Sequence, residues 1–145
     1  MKITICCSLS FANEAKRTKQ DLESLGYNVE VPETILECEQ QNISDIKAWI
    51  KQFVAKDPDG FDKLKRERMR IHLEKIVSSD AVLVLNYDKG LIKNYIGANT
   101  LIEMAIAFWY KKKIFLLNSI PELDYTEEIK GMDPIVLHNC FDLIK

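Results

Sequence analysis

Two kinds of hydrophobic pattern alternate along the chain. Short runs of consecutive apolar residues are typical of strands buried on both faces, and longer segments with apolar residues every three or four positions are typical of helices. The apolar runs predict five strands, at residues 2–7, 27–31, 81–85, 114–117 and 134–137. The periodic segments predict helices at residues 13–25, 44–55 and 61–77, one beginning near Thr100, a short one within 121–132, and a terminal turn at 141–144.

Glycine, proline and short polar residues mark the ends of these segments. Gly26 follows the first helix in the position usual for a C-terminal cap, and Ser44 is the expected N-cap of the second. The cluster at residues 57–60 (Asp-Pro-Asp-Gly) is expected to break the chain before the long third helix. The polar residues 33–41 fit neither pattern and remain unassigned.

Strands that alternate with helices predict a doubly wound α/β fold, with a mostly parallel five-stranded sheet of the flavodoxin- or Rossmann-like kind. The chain, residues 1–145, has the length of one domain. Such folds bind ligands beyond the carboxyl ends of their strands. The loop at residues 8–11, after the first strand, and the loop at residues 86–99, after the third, should therefore border the site.

One acidic residue stands out beyond the second of these loops. Glu103 is surrounded in sequence by apolar residues, and a helix that is apolar on nearly all sides is expected to be buried. A buried carboxylate needs a partner or a function. Thr100 and Glu103 also have the spacing of a capping box, in which both side chains bind backbone donors at the start of the helix. The sequence alone leaves both interpretations open, a cap and a reactive carboxylate.

Composition narrows the class of partner. The net charge of −2 gives no reason to expect nucleic acid or an anionic membrane surface. We find no convincing secretory signal and no segment long enough to span a bilayer, so a cytoplasmic location is the expectation. The four cysteines have no zinc-binding spacing, and adjacent Cys6 and Cys7 are expected to point to opposite faces of the first strand as small buried residues.

An ordered set of motifs resembles the nucleoside 2-deoxyribosyltransferase superfamily, including its nucleoside 5′-monophosphate N-glycosidase relatives. The set comprises Ile5-Cys6-Cys7-Ser8-Leu9-Ser10, Ser79-Asp80-Ala81-Val82-Leu83-Val84-Leu85, Glu103-Met104-Ala105-Ile106-Ala107 and Lys112-Lys113-Ile114. The resemblance implies cleavage or transfer of the N-glycosidic bond of a (deoxy)nucleotide or nucleoside, with Glu103 as the nucleophile. It also implies substrate contacts at Ser8 and Ser10, although these serines could equally cap the following helix.

The chain departs from the family pattern at two positions. His72 stands where relatives usually carry an aspartate, and it is either a general acid for the leaving base or a half-exposed histidine beside an apolar stripe. Gly97 stands where relatives use Asp or Ser to hold the 5′ end of the sugar. Backbone N–H groups of residues 97–100 could hold a phosphate there instead, with Arg68 or Arg70 supplying charge. Other candidate substrate-binding residues are Asn86, Asn99 and Thr100.

The resemblance also bears on partners. Relatives complete their site with residues of a neighbouring subunit, and the matching stretch here surrounds Met132, so at least a homodimer is expected. No metal or organic cofactor is implied, since the sequence has no ligand spacing and no dinucleotide fingerprint. Two alternatives remain open: a catalytically degenerate nucleotide-binding or sensing module, and a glycohydrolase that cleaves NAD.

Overall fold

A five-stranded parallel sheet forms the centre of the computed structural model, which describes residues 1–145. The strands are β1 (Lys2–Cys6), β2 (Asn28–Glu30), β3 (Ala81–Val84), β4 (Lys113–Leu116) and β5 (Ile135–Val136). Their order is β2-β1-β3-β4-β5, and all four pairings are parallel. The doubly wound α/β prediction is therefore confirmed.

Six helices cover the two faces of the sheet. They are α1 (Ala12–Ser24), α2 (Glu33–Gln40), α3 (Ile46–Lys56), α4 (Pro58–Val77), α5 (Ala98–Trp109) and α6 (Thr126–Gly131). A single 3-10 turn lies at Leu9–Phe11 and another at Phe141–Leu143. No helix is both long and apolar enough to cross a membrane.

The core has two halves because successive strand residues point to opposite faces of the sheet. Leu83 belongs to the half that packs against α1 and α2, whereas its neighbours Val82 and Val84 belong to the half under α5 and α6. The adjacent cysteines divide in the same way, with Cys7 in the first half and Cys6 in the second. The prediction that these two thiols are buried on opposite faces is confirmed.

Several helix boundaries differ from the prediction. Residues 33–40 of the unassigned segment form α2, whose apolar periodicity is weak because glutamates make up much of the segment. Asp45, and not Ser44, caps α3, since its carboxylate accepts a hydrogen bond from the Ala48 N–H at 2.9 Å. The break near Pro58 is also the first turn of α4, because proline is favoured at the start of a helix and Asp57 caps it through the Gly60 N–H.

Helix α5 corrects two further expectations. It begins at Ala98 with Gly97 as N-cap, so the Thr100 capping box does not form. The helix is also not buried on all sides. Its outer face exposes Ile102, Phe108 and Trp109, whose exposed fractions are 45%, 53% and 78%. The apolar pattern indicated burial, but in the single chain only the inner face is covered.

Candidate active site

A cleft of about 530 Å³ opens at the carboxyl edge of the sheet. Residues after β1 form its floor, the first turn of α5 forms one side, and α3 and α4 form the opposite side. This is the position expected for a doubly wound fold, and the volume lies in the range of small-molecule sites.

Glu103 lies in this cleft on the second turn of α5, and only 4% of the residue is exposed. Its Oε1 atom accepts a hydrogen bond from Asn99 Nδ2 at 2.9 Å, one helical turn earlier. The Oε2 atom is buried and has no hydrogen-bond partner. The carboxyl group therefore does not cap its helix, and one of its oxygens is available for another contact.

The side chain of His72, on α4, lies next to that of Glu103 in the cleft. Its Nε2 atom lies 3.7 Å from Glu103 Oε1, and neither ring nitrogen has a hydrogen-bond partner. Only 4% of the residue is exposed, so the half-exposed surface histidine is not what the structure shows. The two sequence candidates with titratable side chains are thus brought together.

Burial acts on this pair in opposite directions. It raises the pKa of the Glu103 carboxyl to about 8, and the neighbouring Cys6 thiol lowers that pKa only in part. Burial lowers the pKa of the His72 imidazole to about 4, and the positive charge of Lys75 lowers it further. Both shifts favour the neutral form, because a charge is poorly solvated here. At pH 7 these shifts favour a protonated Glu103 and a neutral His72.

The third member of this cluster is Cys6, which the sequence indicated only as a core residue. Its Sγ atom and one ligand atom each of His72 and Glu103 all lie within 4.8 Å of one another. Burial raises the pKa of the Cys6 thiol, and the neighbouring Glu103 raises it further. Strand alternation predicted that one of the two adjacent cysteines would point this way, but it could not tell which one meets α4 and α5.

Ser8 and Ser10 both line the cleft, and Ser8 also caps the one-turn helix that follows. Ser8 Oγ accepts a hydrogen bond from the Ser10 N–H at 3.3 Å. It also accepts one from Lys89 Nζ at 3.3 Å, and that ammonium group lies 4.5 Å from the centre of the Tyr95 ring. Lys89 was missed in the sequence, where it is one charged residue in a polar loop.

Residues 97–100 line the cleft as expected. Gly97 has a packing reason for lacking a side chain. A Cβ atom at this position would lie 2.8 Å from Tyr95 Oη, closer than real Cβ contacts. The ring of Tyr95 thus takes the space that a side chain at position 97 would need, and the backbone of the first turn of α5 remains beside the cleft.

Four predicted contacts have different outcomes. Arg68 lines the cleft but pairs with Glu37 at 2.8 Å, while Arg70 is exposed and does not line it.

Asn86 is buried outside the cleft. Its Nδ2 group donates to the carbonyls of Asn118 and Ser119 at 3.1 and 2.9 Å, and its Oδ1 atom accepts a hydrogen bond from the Asn118 N–H at 2.8 Å. That side chain joins the loops after β3 and β4. Met132 packs against the core and is also outside the cleft.

One wall of the cleft is apolar and was not predicted from the sequence. It consists of side chains from α3 and α4, namely Trp49, Ile50, Phe61, Leu64 and Met69. The ring of Phe53 links Trp49 and Phe61 by edge contacts, with centroid separations of 5.7 and 5.9 Å. The helical spacing of these residues was visible in the sequence, but core residues have the same spacing.

Comparison with known proteins gives a match at the level of structure. No protein-family model matches this chain, and no curated protein sequence does. A solved structure of a 2-deoxyribosyltransferase from the psychrotolerant bacterium Bacillus psychrosaccharolyticus matches with a TM-score of 0.51 and 16% sequence identity. The match covers 81% of this chain and 72% of that one. The chain therefore has the fold of a 2-deoxyribosyltransferase, as the sequence motifs implied.

Proposed function

We propose that the protein cleaves or transfers the N-glycosidic bond of a (deoxy)nucleoside or nucleotide, with Glu103 as the nucleophile. The observation that carries the proposal is the buried Glu103 carboxyl group, which has an unpartnered oxygen in a cleft at the carboxyl edge of the sheet. The structural match to a 2-deoxyribosyltransferase supports this class of reaction. A carboxylate in such a position can attack an anomeric carbon and form a glycosyl ester.

The neutral pair of Glu103 and His72 suggests how the proton moves. Glu103 passes its proton to His72 Nε2, across a 3.7 Å separation that a small side-chain rotation shortens to a hydrogen bond. The carboxylate then forms a bond to the anomeric carbon as the C–N bond breaks. The departing base keeps the electron pair of that bond and takes the proton from His72. Water or a second base then releases the sugar from Glu103.

Asn99 has a positioning role in this scheme. Its Nδ2 group donates to Glu103 Oε1, which leaves Oε2 as the attacking atom. The apolar wall of α3 and α4 offers Trp49 and Phe61 as surfaces on which a nucleobase can stack. Stacking of this kind contributes about 1–3 kcal/mol per base.

The reaction is tested by incubating the protein with nucleosides, nucleoside 5′-monophosphates and NAD, and measuring released base by chromatography. Release that depends on Glu103 supports the proposal, and a mass increase equal to one sugar unit on the intact protein identifies the ester. Adding a second base separates a transferase from a hydrolase. Tight binding measured by calorimetry without release of base would contradict the enzyme proposal and favour a sensing module. Cleavage of NAD alone would favour the glycohydrolase alternative.

We propose that the substrate carries a 5′-phosphate, which binds where the start of α5 and the Lys89 side chain border the cleft. Backbone N–H groups at the start of α5 suit an anion, and the Lys89 ammonium lies beside Ser8 with no carboxylate partner among the ion pairs. We expect Lys89→Gln to raise the KM for a 5′-monophosphate about tenfold or more, equivalent to about 1.4 kcal/mol. The KM for the unphosphorylated nucleoside should change little.

The matched control for this prediction is Lys93→Gln. Lys93 lies in the same loop, but it is exposed and paired with Asp88 at 2.6 Å. Steady-state kinetics on both substrates with both variants give the comparison. Equal losses on phosphorylated and unphosphorylated substrates in Lys89→Gln would show that Lys89 does not bind the phosphate.

A homodimer is proposed through the outer face of α5. Ile102, Ala105 and Trp109 follow a three- and four-residue spacing along this exposed face, and the occupant we propose is a second copy of the chain. We expect the wild type to sediment as a dimer and Trp109→Glu as a monomer. Leu91→Glu, which changes a fully exposed apolar residue in a loop, is the control and should stay dimeric. A monomeric wild type would refute this interface.

A further inference from the structure

Three side chains from three separate elements converge below the cleft. Cys6 ends β1, His72 lies on α4, and Glu103 lies on α5. One ligand atom of each lies within 4.8 Å of the other two, and all three residues are buried. Both nitrogens of His72 and the Oε2 atom of Glu103 have no hydrogen-bond partner. Buried polar atoms without partners are uncommon, and one of them, His72 Nε2, lies 3.7 Å from Oε1 of the Glu103 carboxyl group.

The separations suit a small divalent ion. Zinc bonds of about 2.3 Å to sulfur and about 2.0–2.1 Å to nitrogen or oxygen place tetrahedral ligand atoms about 3.3–3.6 Å apart. His72 Nε2 and Glu103 Oε1 are already 3.7 Å apart. Side-chain movements on the order of 1 Å therefore bring all three atoms to bonding distance of one ion.

The chemistry of the three ligands narrows the kind of ion. A thiolate and an imidazole favour zinc and similar borderline ions over magnesium or calcium, which prefer oxygen ligands. A thiolate, a carboxylate and a neutral imidazole around a divalent ion also give a complex with no net charge, as burial requires. His72 and Glu103 line the cleft, so a fourth position would be open to water or substrate.

We infer that Cys6, His72 and Glu103 form a binding site for Zn²⁺ or a similar divalent transition-metal ion. The inference goes beyond the proposed function, because the ion and the glycosidic reaction compete for the same carboxyl group. Occupation of the site therefore inhibits turnover by engaging Glu103. A metal site was not predicted from the sequence, because residues 6, 72 and 103 are too far apart in the chain to form a recognisable ligand spacing.

The site is tested without substrate, by titrating Co²⁺ into the full-length, chelator-treated protein under reducing conditions. Replacement of the exposed Cys140 by serine in all samples removes a competing thiol. We expect one equivalent to bind, with a thiolate-to-cobalt charge-transfer band in the near ultraviolet and the intense visible bands of four-coordinate cobalt. One equivalent of Zn²⁺ should displace the cobalt and abolish both sets of bands.

Cys6→Ser should lose the charge-transfer band, whereas Cys7→Ser should keep it, because Cys7 points to the other half of the core. Glu103→Gln should weaken cobalt binding at least tenfold, and Glu127→Gln, a change at an exposed glutamate, should not. Circular dichroism checks that each variant is folded. A folded wild type that gives no thiolate band, or a band that survives in Cys6→Ser, would overturn the site, whatever the outcome of the base-release assay.

Discussion

Replacing Glu103 with glutamine is expected to abolish turnover and, at the same time, to raise the melting temperature. Glutamine keeps the size of the side chain and can still accept the Asn99 hydrogen bond, but it cannot form a glycosyl ester. Base release should therefore fall by several orders of magnitude. Chromatography of the reaction products measures the first effect, and thermal unfolding across pH measures the second.

The gain in stability follows from the raised pKa of Glu103. The unfolded chain releases this proton near pH 4.5, whereas the folded chain holds it up to a pKa of about 8. Between these values the folded state binds more protons, so stability falls as pH rises. At pH 7 the free energy of unfolding is therefore lower by about 3 kcal/mol, because pH 7 lies 2.5 pH units above 4.5 and each unit costs about 1.36 kcal/mol. Glutamine removes this penalty, so the variant's advantage should be small at pH 5 and grow toward pH 8.

A carboxyl group that served only the fold would change the melting temperature in the opposite direction. If Glu103→Gln melts earlier than the wild type at pH 8 and keeps its activity, the carboxyl group serves the fold and not the reaction. Glu127→Gln is the matched control, because the exposed Glu127 carboxylate pairs only with Lys130 on the surface. Neither its activity nor its pH-dependent stability should differ from the wild type.

The second large effect is expected at His72, where substitution should reverse the pH dependence of the reaction. In the wild type the pair with Glu103 must carry one proton, so kcat/KM should decline as pH rises through about 8, where Glu103 loses it. His72→Asn cannot accept or return that proton, and kcat/KM should fall about 10²–10⁴-fold. The residual activity should instead rise with pH, because only deprotonation to solvent then frees the nucleophile.

The control for this measurement is His138→Asn, since His138 is the other histidine of the chain and is exposed. All profiles are recorded with a chelator, so that no ion occupies the carboxyl group. A profile of His72→Asn that keeps the shape and height of the wild-type profile would remove His72 from the mechanism.

Much of this architecture could be read from the sequence. The apolar runs around Ile5, Leu83 and Phe115 have no polar interruption, and only a sheet covered on both faces accommodates several such runs. The motifs at Ser8 and Glu103 implied the same fold, which the structural match confirmed. The first residues of α3 and α5 were less predictable. Asp45 and Ser44 are both good N-cap residues for α3, and the N-cap of α5 is Gly97, where the Tyr95 ring leaves no room for a side chain.

The presence of Glu103 and His72 in the cleft could be predicted from the sequence, but their electrostatics could not. The position of Glu103 followed from a loop and a helix that are local in sequence, and His72 was singled out only by the family resemblance. Their protonation depends on how completely α4, α5 and β1 enclose them, which is a property of tertiary structure. The roles of Cys6 and Lys89 at the site could not be predicted from the sequence, because each joins the site only when distant segments of the chain meet.

The two sides of the cleft are held in different ways. Asn86 fastens the loops beyond β3 and β4 to each other by hydrogen bonds, whereas in the opposite wall the rings of Trp49, Phe53 and Phe61 pack edge to face. Packed rings tolerate replacement by another apolar side chain of similar volume. Replacement of a buried amide such as Asn86 leaves its hydrogen-bond partners unsatisfied and is tolerated less well. Mutation on α3 can therefore reshape the wall, and with it the range of bases that the proposed reaction accepts, without changing α4 and α5, the helices that carry His72 and Glu103. In this chain, new specificity can evolve without rebuilding the reactive pair.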